Sequence, residues 1–480
     1  MKKVSTLFLL LWLPFLGSAQ IAFGPRFEQT HSNRTIDYTV ISNKEAGVVV
    51  LQKEFTQAPE YPVIVKYFNL DLELQWQKTI NVPQQFFIYT YYYHNNKNYL
   101  FFKDPIYKRL MLVVVDVQQG TITGTEIEKL DNMEITEIQM VRNSVVMGGS
   151  FDIKPIVVVY DTETKMTKTL QNLHQSDARL LEIKVNQDST TFNVLISRPN
   201  ERGDPTISVH TYDFEGNTIR DYELELKPHY RLIKGVSSSI YDKSQMVIGT
   251  YGYKSRNSMA GIFVNHIDRT GKQTMTYHNL GALPKFLDYM GEKQATKLKS
   301  KARALQRAGK ELRFRRGFYF REVVEQDDKL MIYGQVRDQN GPTHIYTMQF
   351  DREGKLKWDD FLSKDETKPG WGRNLGKCLW FGEAQGACLN YYSRELYLRY
   401  MDRTQEHEVF KSELKLSEPE DEVRFERDFT SGAEPWYDNH FLVFGVHDVR
   451  SKDKSSKMRT VFFLNKVSAV RASTAALSQD

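Results

Sequence analysis

The amino-acid sequence predicts an all-β fold, a β-propeller of eight four-stranded blades that carries one basic helical insertion. Three observations lead to this prediction. A hairpin signature recurs at intervals close to 45–55 residues, each interval holds four strand-like segments, and the one much longer interval coincides with a strongly basic stretch. Four-stranded units repeated at this period are typical of propeller blades. Seven blades followed by an irregular C-terminal piece are the alternative.

The recurring hairpin consists of an apolar strand that ends in Asp or Asn, a short turn, and a second strand. Asp and Asn cap such turns by bonding the main chain two residues further on, and a following Gly supplies the positive φ. We therefore interpret these side chains as structural turn caps: Asn69, Asp116, Asp161, Asp213, Asp268, Asp351 and Asp402. A single such residue per turn lacks the dense oxygen ligand set of a calcium loop, so we expect no metal site.

The intervals between successive caps define the predicted blades. With a weaker eighth signature at Asn465, the spacings are 47, 45, 52, 55, 83, 51 and 63 residues. The predicted blades cover 36–82, 86–130, 134–173, 179–227, 230–281, 317–365, 371–416 and 423–470. The propeller as a whole is predicted over 20–470, with 20–35 adding an outer strand that closes the ring and 471–480 forming a C-terminal tail.

Residues 1–19 have the features of a secretory signal peptide. Lys2 and Lys3 precede an apolar run from Leu7 to Leu16, and small residues lead up to a cleavage site after Ala19. This run is too short to span a bilayer, and no later stretch is long and apolar enough, so we expect no transmembrane segment. The sequence therefore predicts export, with the periplasm, the cell surface and the extracellular space left open.

The chain contains two cysteines, Cys378 and Cys388, on either side of "LWFGEAQGA". If the residues from Gly382 to Gly386 turn a hairpin, the two cysteines lie opposite each other on adjacent strands, within disulfide distance. An exported compartment permits this bond. A disulfide and a pair of buried free thiols are the two interpretations.

The basic insertion, residues 284–316, lies between the fifth and sixth predicted blades. The stretch from Lys285 to Arg316 contains eleven Lys and Arg and three acidic residues, whereas the rest of the mature chain is net acidic. Leu298, Ala302 and Leu305 form one narrow apolar stripe at helical spacing. We expect Pro284 to start the helical segment.

Two interpretations of this insertion follow from its charge. It is a docking element for an envelope protein or an anionic surface, or it is a solvated helix that packs on the propeller. Nucleic acid is not an expected partner, because the chain lacks a nucleic-acid-binding motif. The candidate partner-binding cations are Lys297, Lys299, Lys301, Arg303, Arg307, Arg313, Arg315 and Arg316.

Aromatic residues provide a second set of candidates. "GAEPWYDNH", from Gly432 to His440, predicts a loop with an exposed Trp436 that contacts a ligand. In "FFIYTYYYHNN", strand alternation places Phe87, Tyr89, Tyr91 and Tyr93 on one face. We interpret that aromatic face as packing between neighbouring blades, since aromatic residues are common in strands.

Catalytic signatures are absent from the sequence. It contains no zinc-binding His-Glu-x-x-His helix, no Gly-x-Ser-x-Gly nucleophile elbow and no phosphate-binding loop, and we expect no cofactor. The sequence therefore favours a non-enzymatic binding protein of the cell envelope. The alternative is a propeller enzyme that acts on carbohydrate through carboxylates over the central channel. Acids on predicted inner strands are Glu137, Glu182, Glu322 and Glu325.

One resemblance supports export and the propeller fold. The chain resembles exported propeller-like proteins of Bacteroidota in three features. These are the "SAQ" end of the signal peptide, the apolar-Asp-x-x-Gly-Lys hairpins and the insertion "FLDYMGEKQATKLKSKARALQRAGKELRFRR". The resemblance covers most of the mature chain in architecture and is most specific in the insertion. It implies a secreted β-propeller and brings no active site with it.

Overall fold

In the computed structural model, eight antiparallel sheets form a β-propeller. The predicted eight-bladed fold is confirmed over the seven-bladed alternative. The structure describes residues 20–31, 36–54, 56–106, 109–127, 133–201, 203–253, 258–315, 317–326, 329–338, 341–363, 377–381, 385–392, 394–402, 409–418, 420–427, 431–452 and 457–470.

The first four blades each contain four strands that pair in chain order. Blade 1 is formed by β2 (Ile36–Ser42), β3 (Val48–Glu54), β4 (Glu60–Phe68) and β5 (Leu74–Pro83). Blade 2 is formed by β6 (Phe87–His94), β7 (Lys97–Lys103), β8 (Leu110–Asp116) and β9 (Thr121–Ile127). Blade 3 is formed by β10 (Glu134–Val141), β11 (Ser144–Phe151), β12 (Lys154–Asp161) and β13 (Thr167–Thr169). Blade 4 is formed by β14 (Arg179–Val185), β15 (Thr191–Pro199), β16 (Pro205–Asp213) and β17 (Thr218–Glu223).

The next three blades repeat this arrangement. Blade 5 is formed by β18 (Tyr230–Ser237), β19 (Gln245–Tyr253), β20 (Met259–Ile267) and β21 (Gln273–Asn279). Blade 6 is formed by β22 (Gly317–Gln326), β23 (Lys329–Asp338), β24 (Gly341–Asp351) and β25 (Leu356–Ser363). Blade 7 is formed by β26 (Lys377–Phe381), β27 (Gln385–Tyr392), β28 (Glu395–Asp402) and β29 (Val409–Glu413).

The eighth blade combines strands from both ends of the chain. Its inner edge consists of β30 (Asp421–Glu426) and β31 (Gly432–Pro435), and both pair with β32 (His440–Ser451). The next strand is β33 (Arg459–Val470), and β1 (Gln20–His31) pairs antiparallel with it as the outermost strand. The N-terminal segment therefore supplies the closing strand.

The core lies in layers between neighbouring blades. The middle strands are sandwiched on both sides, so they are nearly continuous apolar runs, and β19 is buried from Gln245 to Gly252. Between blades 4 and 5, Leu195 and Val209 belong to the same apolar cluster as Val247 and Phe263. The outer strands face solvent on one side and are far more exposed.

The turn between the third and fourth strands is capped in six blades by the same side-chain geometry. The Oδ1 atom of Asp268, for example, accepts hydrogen bonds from the main-chain N–H groups of Thr270 and Lys272, at 2.8 and 2.9 Å. Equivalent bonds are made by Asn69, Asp116, Asp161, Asp213 and Asp351. The Asp402 side chain lies outside the described residues.

Strand direction divides the ring into two faces. Because successive strands run antiparallel, the first-to-second and third-to-fourth turns of every blade open on one face, here called the turn face. The second-to-third turns and the blade-to-blade connections open on the opposite face, here called the connection face. The Asp and Asn caps therefore all lie on the turn face.

Candidate functional site

The basic insertion forms a single α-helix, α1 (Glu292–Arg307), that follows β21 and precedes β22. It lies on the connection face, because it belongs to the link between blades 5 and 6. Short 3-10 turns at Leu280–Ala282 and Asp288–Met290 precede it. Pro284 does not start the helix, since α1 begins only after Gly291.

One side of α1 is part of the hydrophobic core. Ala295 and Ala302 are buried, and Leu298 and Leu305 pack against the same cluster. That cluster contains Leu280, Leu283, Phe286, Leu287 and Leu312 from the insertion, together with apolar residues of blades 5 and 6. The predicted apolar stripe therefore fixes the helix against the two blades.

The close approach of α1 to the propeller depends on Gly281. A Cβ atom at this position would lie 2.9 Å from the Cβ of Ala302 and 3.0 Å from the Cβ of Leu312. These distances are too short for two carbon atoms, so a side chain here displaces the helix. Gly281 is thus a packing residue of the insertion.

Polar contacts tie the segment after α1 to blade 5. The hydroxyls of Tyr251 and Tyr253 each donate a 2.9 Å hydrogen bond to the carboxylate of Glu311. The Arg313 guanidinium lies 4.2 Å from the centre of the Tyr253 ring. Main-chain bonds join Phe314 to Met259 of β20 in both directions.

The segment before α1 is tied to blade 6. The main-chain N–H of Lys285 donates to Oδ2 of Asp359 at 2.8 Å, and the buried Tyr346 hydroxyl donates to the same oxygen. Within the insertion, Lys299 forms an ion pair with Asp288 at 2.5 Å. The helix is therefore held at both ends by two different blades.

Some of the predicted binding cations contact other side chains of the protein, and others face solvent. Lys299 is paired and Arg313 stacks on an aromatic ring, as described above. Lys297, Lys301, Arg303, Arg307 and Arg315 are exposed, and none of them forms an ion pair with another described residue. Arg316 lies outside the described residues.

The predicted exposure of Trp436 is wrong. Its indole is only 3% exposed, and Nε1 donates to the Gly47 main-chain oxygen at 3.1 Å. The preceding residues are strand β31 rather than a loop, and Trp436 packs in the cluster between blades 8 and 1. Its role is to join the last blade to the first.

The inner-strand acids form hydrogen bonds between blades. Glu137 of blade 3 accepts the Ile183 main-chain N–H of blade 4 at 2.7 Å. Glu182 of blade 4 in turn accepts from blade 5, and burial raises its pKa to about 7. The Glu322 side chain lies outside the described residues. The carboxyl groups of Glu137 and Glu182 therefore join the inner strands of neighbouring blades by hydrogen bonds.

Glu325 of blade 6 forms the third such contact. Its Oε1 accepts the main-chain N–H of Ser239 at 2.6 Å, and Lys184 Nζ of blade 4 lies 3.7 Å from the same oxygen. A carboxylate and an ammonium group from blades 4 and 6 thus meet beside blade 5. This pair lies at the edge of a cavity described below.

The cysteines lie opposite each other in blade 7. Cys378 of β26 is in register with Cys388 of β27, and the two form a disulfide with an S–S distance of 1.96 Å and a Cα–Cα distance of 4.0 Å. Both residues are 2% exposed. The bond links the inner strand of blade 7 to its second strand.

Two kinds of feature are absent from the part of the chain that the structure describes. No group of three or more His, Cys, Asp and Glu side chains there is arranged to hold a metal ion. No helix in those residues has the length and apolar character needed to cross a membrane.

No sequence motif signals a cavity that opens on the turn face. A cavity of about 680 Å³ lies between blades 5 and 6, and Gln245, Tyr241 and Arg352 are among its lining residues. These residues come from separate turns and strands, so no local spacing in the sequence marks them.

Comparisons with known proteins concern the fold. No protein-family model matches the chain, and no curated protein matches it. The polysaccharide lyase Uly1 is 9% identical, with 79% of this chain and 89% of that chain covered at a TM-score of 0.42. The β-propeller domain of the Trilobed protease from Pyrococcus furiosus is 11% identical, and the match covers 83% of this chain and 99% of that chain at a TM-score of 0.39. A prolyl endopeptidase is 10% identical, and the match covers 87% of this chain and 55% of that chain at a TM-score of 0.42.

Proposed function

We propose that the protein is exported and that α1 docks the propeller electrostatically onto a phosphate-bearing membrane surface of the cell envelope. The observation that carries the proposal is the solvent side of α1. Five exposed cations lie there: Lys293, Lys297, Lys301, Arg303 and Arg307. Among residues 292–307 the only acid is Glu292, in the first turn.

The chemistry of this surface favours lipid phosphate over a folded protein partner. Stable protein interfaces depend on aromatic and apolar anchors at their centre. The apolar side chains of α1, Leu298 and Leu305, are already packed against the propeller core. The exposed side offers charge without an apolar anchor, which suits a diffuse layer of anions.

The same packing defines the mode of attachment. An amphipathic helix enters a membrane interface with its apolar face. In this protein that face is committed to blades 5 and 6 through Ala295 and Ala302, so α1 remains on the headgroup surface. Each Lys or Arg near an anionic surface contributes about 1 kcal/mol, and five together give firm but salt-sensitive attachment.

Export is supported by two features of the chain. Residues 1–19 have the pattern of a signal peptide, although they lie outside the described residues. The disulfide between Cys378 and Cys388 suits an oxidising compartment outside the cytoplasm.

The test is co-sedimentation with vesicles. We expect the mature protein to bind vesicles with about 30 mol% phosphatidylglycerol and to leave neutral phosphatidylcholine vesicles unbound. Replacing Lys293, Lys297, Lys301, Arg303 and Arg307 by Gln should weaken partitioning by roughly a hundredfold or more. Raising NaCl from about 0.1 to 1 M shortens the Debye length from about 10 to 3 Å and should also release the protein.

A matched variant shows whether vesicle binding depends on the position of the cations on α1 or only on the net charge of the protein. Five exposed lysines on the turn face can be replaced by Gln for the same change in net charge: Lys97, Lys165, Lys243, Lys272 and Lys355. This variant should bind the anionic vesicles as the wild type does. Equal binding by the α1 variant, or no vesicle binding by the wild type, overturns the proposal. An acidic protein recovered only by the wild type, without vesicle binding, assigns α1 to a protein partner instead.

A further inference from the structure

A second site lies on the face opposite to α1. The cavity of about 680 Å³ between blades 5 and 6 is lined by Ser238, Ser239, Tyr241, Ser244 and Gln245 of blade 5, and by Glu325, Lys329 and Arg352 of blade 6, among others. Most of these residues belong to first-to-second or third-to-fourth turns, which places the mouth on the turn face. Its volume is in the range of small-molecule sites.

The wall of the cavity contains an amide without a hydrogen-bond partner. Gln245 is only 2% exposed, and neither its Nε2 nor its Oε1 has a partner among the described residues. Leaving such a buried group unpaired costs stability. A ligand that brings both an acceptor and a donor, as adjacent sugar hydroxyls do, satisfies both atoms of the amide.

The charges around the cavity favour an anion. Arg352 and Lys329 line it, whereas Glu325, the one carboxylate among its described lining residues, lies 3.7 Å from Lys184 and accepts the Ser239 N–H. The guanidinium carbon of Arg352 lies 4.0 Å from the centre of the Tyr241 ring. This stacking orients a planar donor pair that matches a carboxylate.

The rest of the lining mixes polar side chains with the apolar side chains of Met246 and Leu330. Three serines supply hydroxyl and main-chain groups, and Tyr241 is 55% exposed at the edge of the cavity. Exposed tyrosine rings provide apolar area with a polar tip, which suits a sugar ring better than a hydrocarbon chain. We propose that this cavity binds an acidic saccharide of one or two residues, with its carboxylate at Arg352 and Lys329 and its hydroxyls at Gln245.

Isothermal titration of the full mature chain tests this site, with glucuronate and galacturonate as probes. Glucose, galactose and inorganic phosphate are titrated alongside them. The uronates should bind, and the neutral sugars and phosphate should each bind at least roughly tenfold more weakly. The neutral sugars lack the carboxylate for Arg352 and Lys329, and phosphate lacks the sugar ring with its adjacent hydroxyls for Gln245. Gln245→Met keeps the shape of the side chain and should weaken uronate binding about tenfold. Arg352→Gln should weaken it by at least as much.

The control uses a second unpartnered amide. Asn98 of β7 in blade 2 is fully buried, and neither side-chain atom has a partner among the described residues. Asn98→Leu therefore makes the same kind of change far from the cavity and should leave uronate affinity unchanged. Gln245→Met removes a group that has no partner in the described residues, so its melting temperature should not fall.

Three results overturn the proposal. They are the absence of uronate binding by the wild type at millimolar concentration, uronate binding that Gln245→Met retains in full, and phosphate binding as tight as that of the uronates. The last result would identify an anion site that does not recognise the sugar.

Discussion

The carboxylate of Glu182 in blade 4 accepts hydrogen bonds from both the main-chain N–H and the hydroxyl of Ser237 in blade 5, at 2.7 and 3.0 Å. Burial is the main reason that its pKa rises from 4.5 to about 7, and the two Ser237 bonds offset only part of this shift. The folded protein therefore binds one more proton at Glu182 than the unfolded chain does between these two pH values. The resulting stability is present below pH 4.5 and is lost as the pH rises through 7.

The first prediction concerns Glu182→Gln. The amide is uncharged at every pH and still accepts the Ser237 N–H. The free energy of unfolding of the wild type should fall relative to that of the variant by up to about 1.4 kcal/mol per pH unit between pH 4.5 and 7. Denaturant unfolding of both proteins at pH 5, 6, 7 and 8 measures this difference. A constant difference across the series would show that Glu182 does not titrate in this range.

The second prediction concerns the disulfide of blade 7. Cys378 and Cys388 close a loop with a sequence separation of ten residues, which restricts the unfolded chain. Replacing both with Ala should lower the free energy of unfolding by about 2–3 kcal/mol. A thiol assay on the unfolded, unreduced wild type should detect no free thiol. Reductant should lower the melting temperature of the wild type and leave that of the variant unchanged; equal shifts in both would contradict the assignment.

The third prediction concerns Trp436 at the junction of blades 8 and 1. Trp436→Phe removes the N–H that bonds to the Gly47 oxygen and leaves a smaller ring in a buried site. We expect a loss of about 2 kcal/mol in the free energy of unfolding, with vesicle and uronate binding unchanged. Trp76→Phe is the control, because its indole also donates to a main-chain oxygen, that of Val117, but is only half-buried. An equal or larger loss in the control would argue against a special role for the junction.

The fourth prediction concerns Gly281 beneath α1. Gly281→Val should displace the helix and cost about 1–3 kcal/mol, because its new atoms meet Ala302 and Leu312 at short distance. Limited trypsin digestion should then cut faster within residues 292–307. Gly124→Val is the control, since a Cβ there meets no atom within 4 Å. Unchanged digestion of the Gly281 variant would show that α1 is not held by this contact.

The fold was predictable because its signals are local. A cap such as Asp213 and the apolar strands around it lie within one hairpin, so the pattern repeats visibly in the sequence. Trp436 was not predictable in the same way, since its burial depends on Gly47, at the other end of the chain. The cavity is harder still to predict, because Gln245 and Arg352 belong to different blades.

Strand irregularity limits the prediction of side-chain direction. The predicted aromatic face of Phe87, Tyr89, Tyr91 and Tyr93 assumes strict alternation along β6. A bulge between Ile88 and Thr90 interrupts it. Tyr89 therefore packs towards blade 3, where its hydroxyl donates to the Thr136 oxygen at 2.9 Å, whereas Tyr91 and Tyr93 pack towards blade 1. The three tyrosines pack between blades as expected, but they serve two interfaces, whereas Phe87 is 41% exposed and does not follow the prediction.

The pairing of β1 with β33 has a consequence for the order of folding. Seven blades consist of strands adjacent in the chain, so each can form as soon as its own residues are available. The eighth requires Gln20 to meet Val470, and these residues become neighbours only after almost the whole chain has been synthesised. Contacts of such long sequence separation form slowly. Refolding should therefore show fast formation of hairpins followed by a slower closure step. Deleting β1 should weaken the closed ring without opening it, because Trp436 and the apolar cluster of blades 8 and 1 still join its two ends.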